Sequence, residues 1–101
     1  MARIFDKADL RNREQRLELA IRKKPYWMAL SEGKHLGYYR GRRVRKWLAR
    51  FREPGGPYHY QEATIAEADD HINADGAKIL NFMQAQIAAF NWFKSVKQHG
   101  E

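Results

Sequence analysis

The segment HLGYYRGRRVRKWLARFRE, His35 to Glu53, carries Arg40, Arg42, Arg43, Arg45, Lys46, Arg50 and Arg52, seven of the 19 lysines and arginines in the chain. Tyr38, Tyr39, Trp47 and Phe51 are threaded through it. Guanidinium groups at that density are suited to one kind of chemistry, the donation of charge-assisted and often paired hydrogen bonds to phosphate oxygens and to the acceptor edges of bases. Covalent chemistry has little to work with. The chain has no cysteine, and His35, His59, His71 and His99 are scattered without ligand spacing. Asn73-Ala74-Asp75-Gly76 offers oxygen ligands, but in a calcium-loop register His71 would fill the first position and Phe82 the twelfth, where a bidentate Glu is needed. Asp69 to Gly76 therefore reads as a turn-rich connecting loop. Neither a phosphate-binding glycine loop nor a Ser, His, Asp arrangement can be assembled. These observations favour a binding module over an enzyme, with no metal and no cofactor.

Composition bounds the partner. The chain has 101 residues, about one domain by the usual size range, and 19 Lys+Arg against 12 Asp+Glu give a net charge of +7 and a pI near 9.9. A balance of that sign favours polyanions, nucleic acid first and anionic membrane second. Membrane is the weaker of the two, because the basic N-terminal stretch has few large apolar residues. No apolar run approaches the roughly 20 residues that span a bilayer, and Met1 to Arg13 lacks the apolar segment of a signal peptide. The expected location is cytoplasmic.

The elements that must position the basic residues can be read from pattern. From Asp6 to Lys24 the chain is mostly charge and helix formers, with Leu10, Leu17 and Ile21 spaced for one face of a short helix that Pro25 ends. Residues 1–24 are thus expected to form a basic arm or short helix, with Arg11, Arg13, Arg16, Arg22, Lys23 and Lys24 free to follow a phosphate backbone or simply to solubilise the chain. Leu36 to Arg40, Arg45 to Arg52 and Pro57 to Ile65 read as three antiparallel strands, separated by Gly41 and by Pro54-Gly55-Gly56-Pro57. In the second strand, alternation sets Trp47, Ala49 and Phe51 against Lys46, Leu48, Arg50 and Arg52. In the third, Ile65 turning inward would take His59 and Gln61 with it unless a bulge intervenes. Asn81 and Gln84 form a capping-box pair ahead of a helix over about 82–97, whose stripe of Phe82, Ala85, Ala89, Trp92, Phe93 and Val96 faces the sheet. The expected fold class is α+β: a three-stranded antiparallel sheet backed by a C-terminal helix, spanning 25–97, with 98–101 opening a linker. Trp47, Phe51, Phe82 and Trp92 are its expected core. A second line on the helix, Met83, Ile87 and Phe90, is expected to be covered by the acidic loop or by residues 26–30, or to meet another domain or protomer.

The order of these motifs resembles a known family. Lys24-Pro25-Tyr26-Trp27, Gly33, Leu36-Gly37-Tyr38, Trp47-Leu48-Ala49-Arg50, Ala68-Asp69-Asp70, Asp75-Gly76 and Phe82-Met83-Gln84-Ala85-Gln86 together resemble the N-terminal region of bacterial and phage tyrosine recombinases, the site-specific integrases, over residues 16–97. The resemblance implies a non-catalytic, arm-type DNA-binding domain that lays a three-stranded sheet into the major groove. The family's catalytic domain would lie beyond residue 101. Its partners would be double-stranded DNA and other domains or subunits of the same recombinase.

On this reading Arg42, Arg43 and Arg45, at or beside the first hairpin, reach phosphates, while Arg40, Lys46, Arg50 and Arg52 point into the groove, where Arg pairs with guanine. Tyr39, Tyr58 and Tyr60 add phosphate hydrogen bonds or contacts to thymine methyls. The plain alternative is a merely solvated cationic face. Double-stranded RNA is the nearest rival ligand, and a protein-docking domain working through Met83, Ile87 and Phe90 is the rival of another class.

Overall fold

A computed structural model describes residues 9–52 and 60–99, with side chains to Val96. Its elements are α1 (Arg13–Leu17), β1 (Tyr26–Ser31), β2 (Lys34–Arg40), β3 (Arg45–Phe51), β4 (Gln61–Ala68), β5 (Ile79–Leu80) and α2 (Phe82–His99). The strands form one sheet in the order β1-β2-β3-β4-β5, antiparallel through β4 and parallel between β4 and β5. The α+β class therefore holds, but the sheet has five strands among the described residues where three were expected. The added β1 follows from period-two burial: Tyr26, Met28 and Leu30 pack toward the core while Trp27 and Ala29 take the other face. β5 exists because Asp75 shapes the loop before it. Its Oδ1 accepts from the backbone N–H of Ala77, Lys78 and Ile79 at 2.8, 2.9 and 2.9 Å, and Gly76 takes a φ of 80°. Those bonds, led by the one from Ile79, hold the Asp75 carboxyl below its ordinary range.

The capping box at the head of α2 forms reciprocally. Gln84 N–H donates to Asn81 Oδ1 at 2.9 Å, and Asn81 N–H donates to Gln84 Oε1 at 3.0 Å. The helix then lays Phe82, Ala85, Ala89, Phe93 and Val96 on the inner sheet face, where Leu36, Tyr38, Trp47, Ala49 and Phe51 are buried. Ala85 and Ala89 let the helix approach closely, so that Phe82 and Phe93 meet Trp47 and Phe51 with ring centroids 6.2 Å apart in both pairs. Trp92 is only half-buried, packed beside Phe93. The bulge in β4 is present: Trp47 pairs with Ala66 and Leu48 with Thr64, leaving Ile65 unpaired, and Ile65, Ala66 and Ala68 all turn toward the core. The expected third strand is displaced, because β4 starts at Gln61; the Pro54-Gly55-Gly56-Pro57 turn and Tyr58 lie outside the described residues.

The N-terminal stretch differs most from expectation. Leu17 and Ile21 are exposed, and the buried residues are Leu10 and Arg16. Asn12 caps α1 by accepting from Glu14 N–H at 2.8 Å, which turns Arg16 into the core beside Trp47 and Tyr38.

Candidate nucleic-acid interface

The two faces of the sheet use their arginines differently. On the helix side, Arg16 is 1% exposed. Its Nε donates to Asp70 Oδ1 at 3.2 Å, its Nη1 to the Leu10 carbonyl at 3.0 Å, and its Nη2 to Asp69. The Tyr38 hydroxyl donates to the other Asp70 oxygen. Burial first, and then the Asp70 carboxylate, push that phenol well above its ordinary range.

Arg40 and Arg45 are drawn to this side, away from Arg50, whereas the sequence leads to the expectation that Arg40 points into the groove beside Arg50 and that Arg45 reaches phosphates. They pair with each other across β2 and β3, two residues from the inward Tyr38 and Trp47 respectively. Alternation that buries Tyr38 and Trp47 carries Arg40 and Arg45 to the same face. Arg40 Nη1 donates to the carbonyls of Arg16, at 3.1 Å, and of Leu17. Arg45 Nε lies 3.5 Å from Asp70 Oδ2, and its Nη1 meets His71 Nε2.

The opposite face is built from β1 to β4 and has no helix over it among the described residues. Trp27 lies flat across Gly37, so close that a Cβ on Gly37 would stand 2.5 Å from the indole. Arg50 Cζ is 4.3 Å from the Trp27 ring centroid and 4.2 Å from that of Tyr60. Strand order places these rings to either side of β3. His35 meets Tyr60 edge-on at 5.7 Å, and Arg52 Cζ is also 5.7 Å from the Tyr60 centroid. Lys46 Nζ stands 5.6 Å from the Tyr39 ring centroid, and that ring in turn covers Gly41. Burial, and secondarily the Arg50 charge, lower the pKa of His35 below the usual imidazole value. Two carboxylates temper the face: Glu62 pairs with Arg50 and Glu67 with Lys46 across β3 and β4.

One end of the sheet collects further charge. The Arg22 N–H donates to the Arg40 carbonyl at 3.2 Å, which holds exposed Lys23 and Lys24 beside the Gly41–Val44 turn, where Arg42 and Arg43 are exposed. The Arg22 guanidinium itself is tied to the carbonyls of Lys24 and Pro25 at 2.9 and 3.0 Å.

Of the expected interface residues, then, Tyr39, Lys46, Arg50 and Tyr60 share the outer face. Arg52 lies at its margin, Arg42 and Arg43 sit at its end, and Arg40 and Arg45 belong to the other side. Trp27 and His35 complete the face without having been singled out. Their signal was available in the pairing of β1 with β2, which sets Trp27 opposite the one strand residue, Gly37, that has no side chain. On the far surface, Met83 and Ile87 are 64% and 59% exposed, because residues 26–30 form β1 instead of covering α2; Phe90 is half-buried against Phe93.

Comparison with protein-family models, with curated proteins and with solved structures gives no match. No helix among the described residues is long and apolar enough to cross a membrane.

Proposed function

We propose that this domain binds double-stranded DNA as the arm-binding module of a tyrosine-type integrase, tethering the recombinase to arm-type sites during DNA integration without itself catalysing a step, in the cytoplasm. The observation that carries the reading is the outer sheet face, free of any helix among the described residues, where Trp27, Tyr39, Lys46, Arg50 and Tyr60 lie together, flanked by the exposed cations of the Lys23-Lys24 segment and the Gly41–Val44 turn. The major groove admits a β-ribbon, and its rims are lines of phosphate. In this arrangement Lys23, Lys24, Arg42 and Arg43 contact a phosphate rim while the outer face enters the groove. The carboxylates of Glu62 and Glu67 turn β4 away from the backbone, so contact centres on β1 to β3.

If about five phosphates are neutralised, log affinity against log salt falls with a slope of roughly −4 to −5. Fluorescence anisotropy of a labelled duplex across a salt series measures this slope. A flat dependence, or no binding at low salt, removes the reading, and preference for a matched RNA duplex reassigns it to RNA.

A second reading rests on the exposure of Met83 and Ile87 on α2. This apolar row suits contact with another domain or subunit of the same recombinase. Under it, Ile87→Asp abolishes assembly and leaves DNA affinity unchanged.

A further inference from the structure

We infer that Arg50 is the base-selecting residue of the outer face, taking the O6/N7 edge of a guanine, and that Trp27 is the residue that positions it; this rests on the duplex-DNA reading above. The guanidinium groups around the sheet are engaged in different ways. Arg16, Arg22, Arg40 and Arg45 give theirs to carboxylates, carbonyls or His71. Arg42 and Arg43 are exposed on a turn, an arrangement suited to phosphates on a mobile rim. Arg50 differs from both groups. Rings from either side hold it at 4.3 and 4.2 Å, its Nε is buried, and no hydrogen bond or ion pair to a described residue engages its terminal nitrogens.

A guanidinium stacked in this way has lost its torsional freedom before any ligand arrives, so the entropy of ordering it is not charged to binding. What remains unsatisfied is its rim of parallel N–H donors. In the major groove the complement to that rim is the paired N7 and O6 acceptors of guanine; adenine presents a donor at the equivalent of O6. Trp27 sets the position because the indole reaches Arg50 from β1 only by lying across β2, and it lies there only because residue 37 is glycine.

The test uses the full chain. A randomised duplex pool is selected by retention at low salt, and the guanine fixed in the selected site is then replaced by 7-deazaguanine, which lacks the N7 acceptor. The expected result is that this replacement weakens wild-type binding roughly tenfold. Arg50→Lys, which keeps the charge and hence the salt slope, is expected to bind both duplexes alike. So are Trp27→Leu and Gly37→Ala, which leave Arg50 in place but displace its support. Urea midpoints of all variants confirm that they fold. Retention of no duplex by any form overturns the DNA reading and this inference with it. Salt-dependent retention in which 7-deazaguanine costs the wild type nothing, or in which Arg50→Lys discriminates as well as the wild type, overturns this inference alone.

Discussion

Arg16 and Arg50 each set a guanidinium against aromatic rings, Arg16 at 4.8 Å from the Trp47 centroid and Arg50 at 4.3 Å from that of Trp27. Their surroundings then diverge. Around Arg16 stand two carboxylates and a carbonyl, and the side chain is sealed beneath the N-terminal segment. Around Arg50 there are rings and strand backbone, with no carboxylate in contact among the described residues. A buried charge with an acceptor at each of its nitrogens is costly to disturb, because removing one partner strands the others. A charge held in place with its donors unmatched is prepared for a partner from outside. The same residue type is therefore tied into the architecture on one face of the sheet and, on the proposed DNA-binding reading, serves recognition on the other, and the difference lies in the acceptors.

That contrast can be broken by substitution. Arg16→Met should have the largest effect: it removes the guanidinium that Asp69 and Asp70 share, leaving Arg13 3.6 Å from Asp69 and Arg45 3.5 Å from Asp70 as their remaining cations, and is expected to lower stability by about 3 kcal/mol in urea unfolding, while duplex affinity under native conditions stays within about twofold. Tyr38→Phe removes one donor from Asp70 and should cost about 2 kcal/mol by the same assay. On the other face, Arg50→Ala is expected to lower stability by only about 1 kcal/mol, the scale of a half-buried cation–π contact, and to weaken DNA binding clearly in anisotropy titrations. A stability loss at Arg50 as large as that at Arg16 would erase the distinction between the faces.

Glu62→Gln removes an anion from the outer face opposite Arg50, so duplex affinity at low salt should rise by about two- to fivefold, and the gain should shrink as salt increases. The pH dependence of His35 is the mildest. Its folded pKa lies below the ordinary 6.5 because burial and Arg50 disfavour the imidazolium. Between the folded and unfolded values the unfolded chain binds the extra proton, so the contribution to stability is complete above about 6.5 and declines as pH falls through that window. Urea midpoints at pH 7 and pH 5 should therefore differ by less in His35→Phe than in the wild type.

Much of this arrangement was legible in the sequence. The inward set of Trp47, Ala49 and Phe51, the Asn81 and Gln84 cap and the helical stripe through Val96 follow from periods of two and 3.6, and local pattern dominates there. The bulge at Ile65 was also legible as a conflict between alternation and the need to bury Ile65. The placement of Arg45 should have followed too, since any alternation that buries Trp47 buries the residue two before it; reading charge as exposure concealed it. Arg16 could not be found in this way. Its partners, Asp69 and Asp70, are more than 50 residues away, and only tertiary packing brings them together. For Asp69 and Asp70 the sequence suggests a turn-rich connecting loop, because nothing local distinguishes an acidic turn from half of a buried ion-pair network. β1 went unrecognised as a strand because Tyr26, Met28 and Leu30 form a short apolar set next to a basic stretch, and only pairing with β2 shows its register.

The central claim is that the ligand meets the outer sheet face and its basic end, not the helix. Backbone amide chemical-shift mapping during titration with a selected DNA duplex tests it most directly. Perturbations confined to Lys23, Lys24, Trp27, Gly37, Tyr39, Lys46, Leu48, Arg50, Tyr60 and the Gly41–Val44 turn, with α2 unmoved, are the predicted result. Shifts centred on Met83 and Ile87, or a spectrum that does not change on adding DNA, would contradict it.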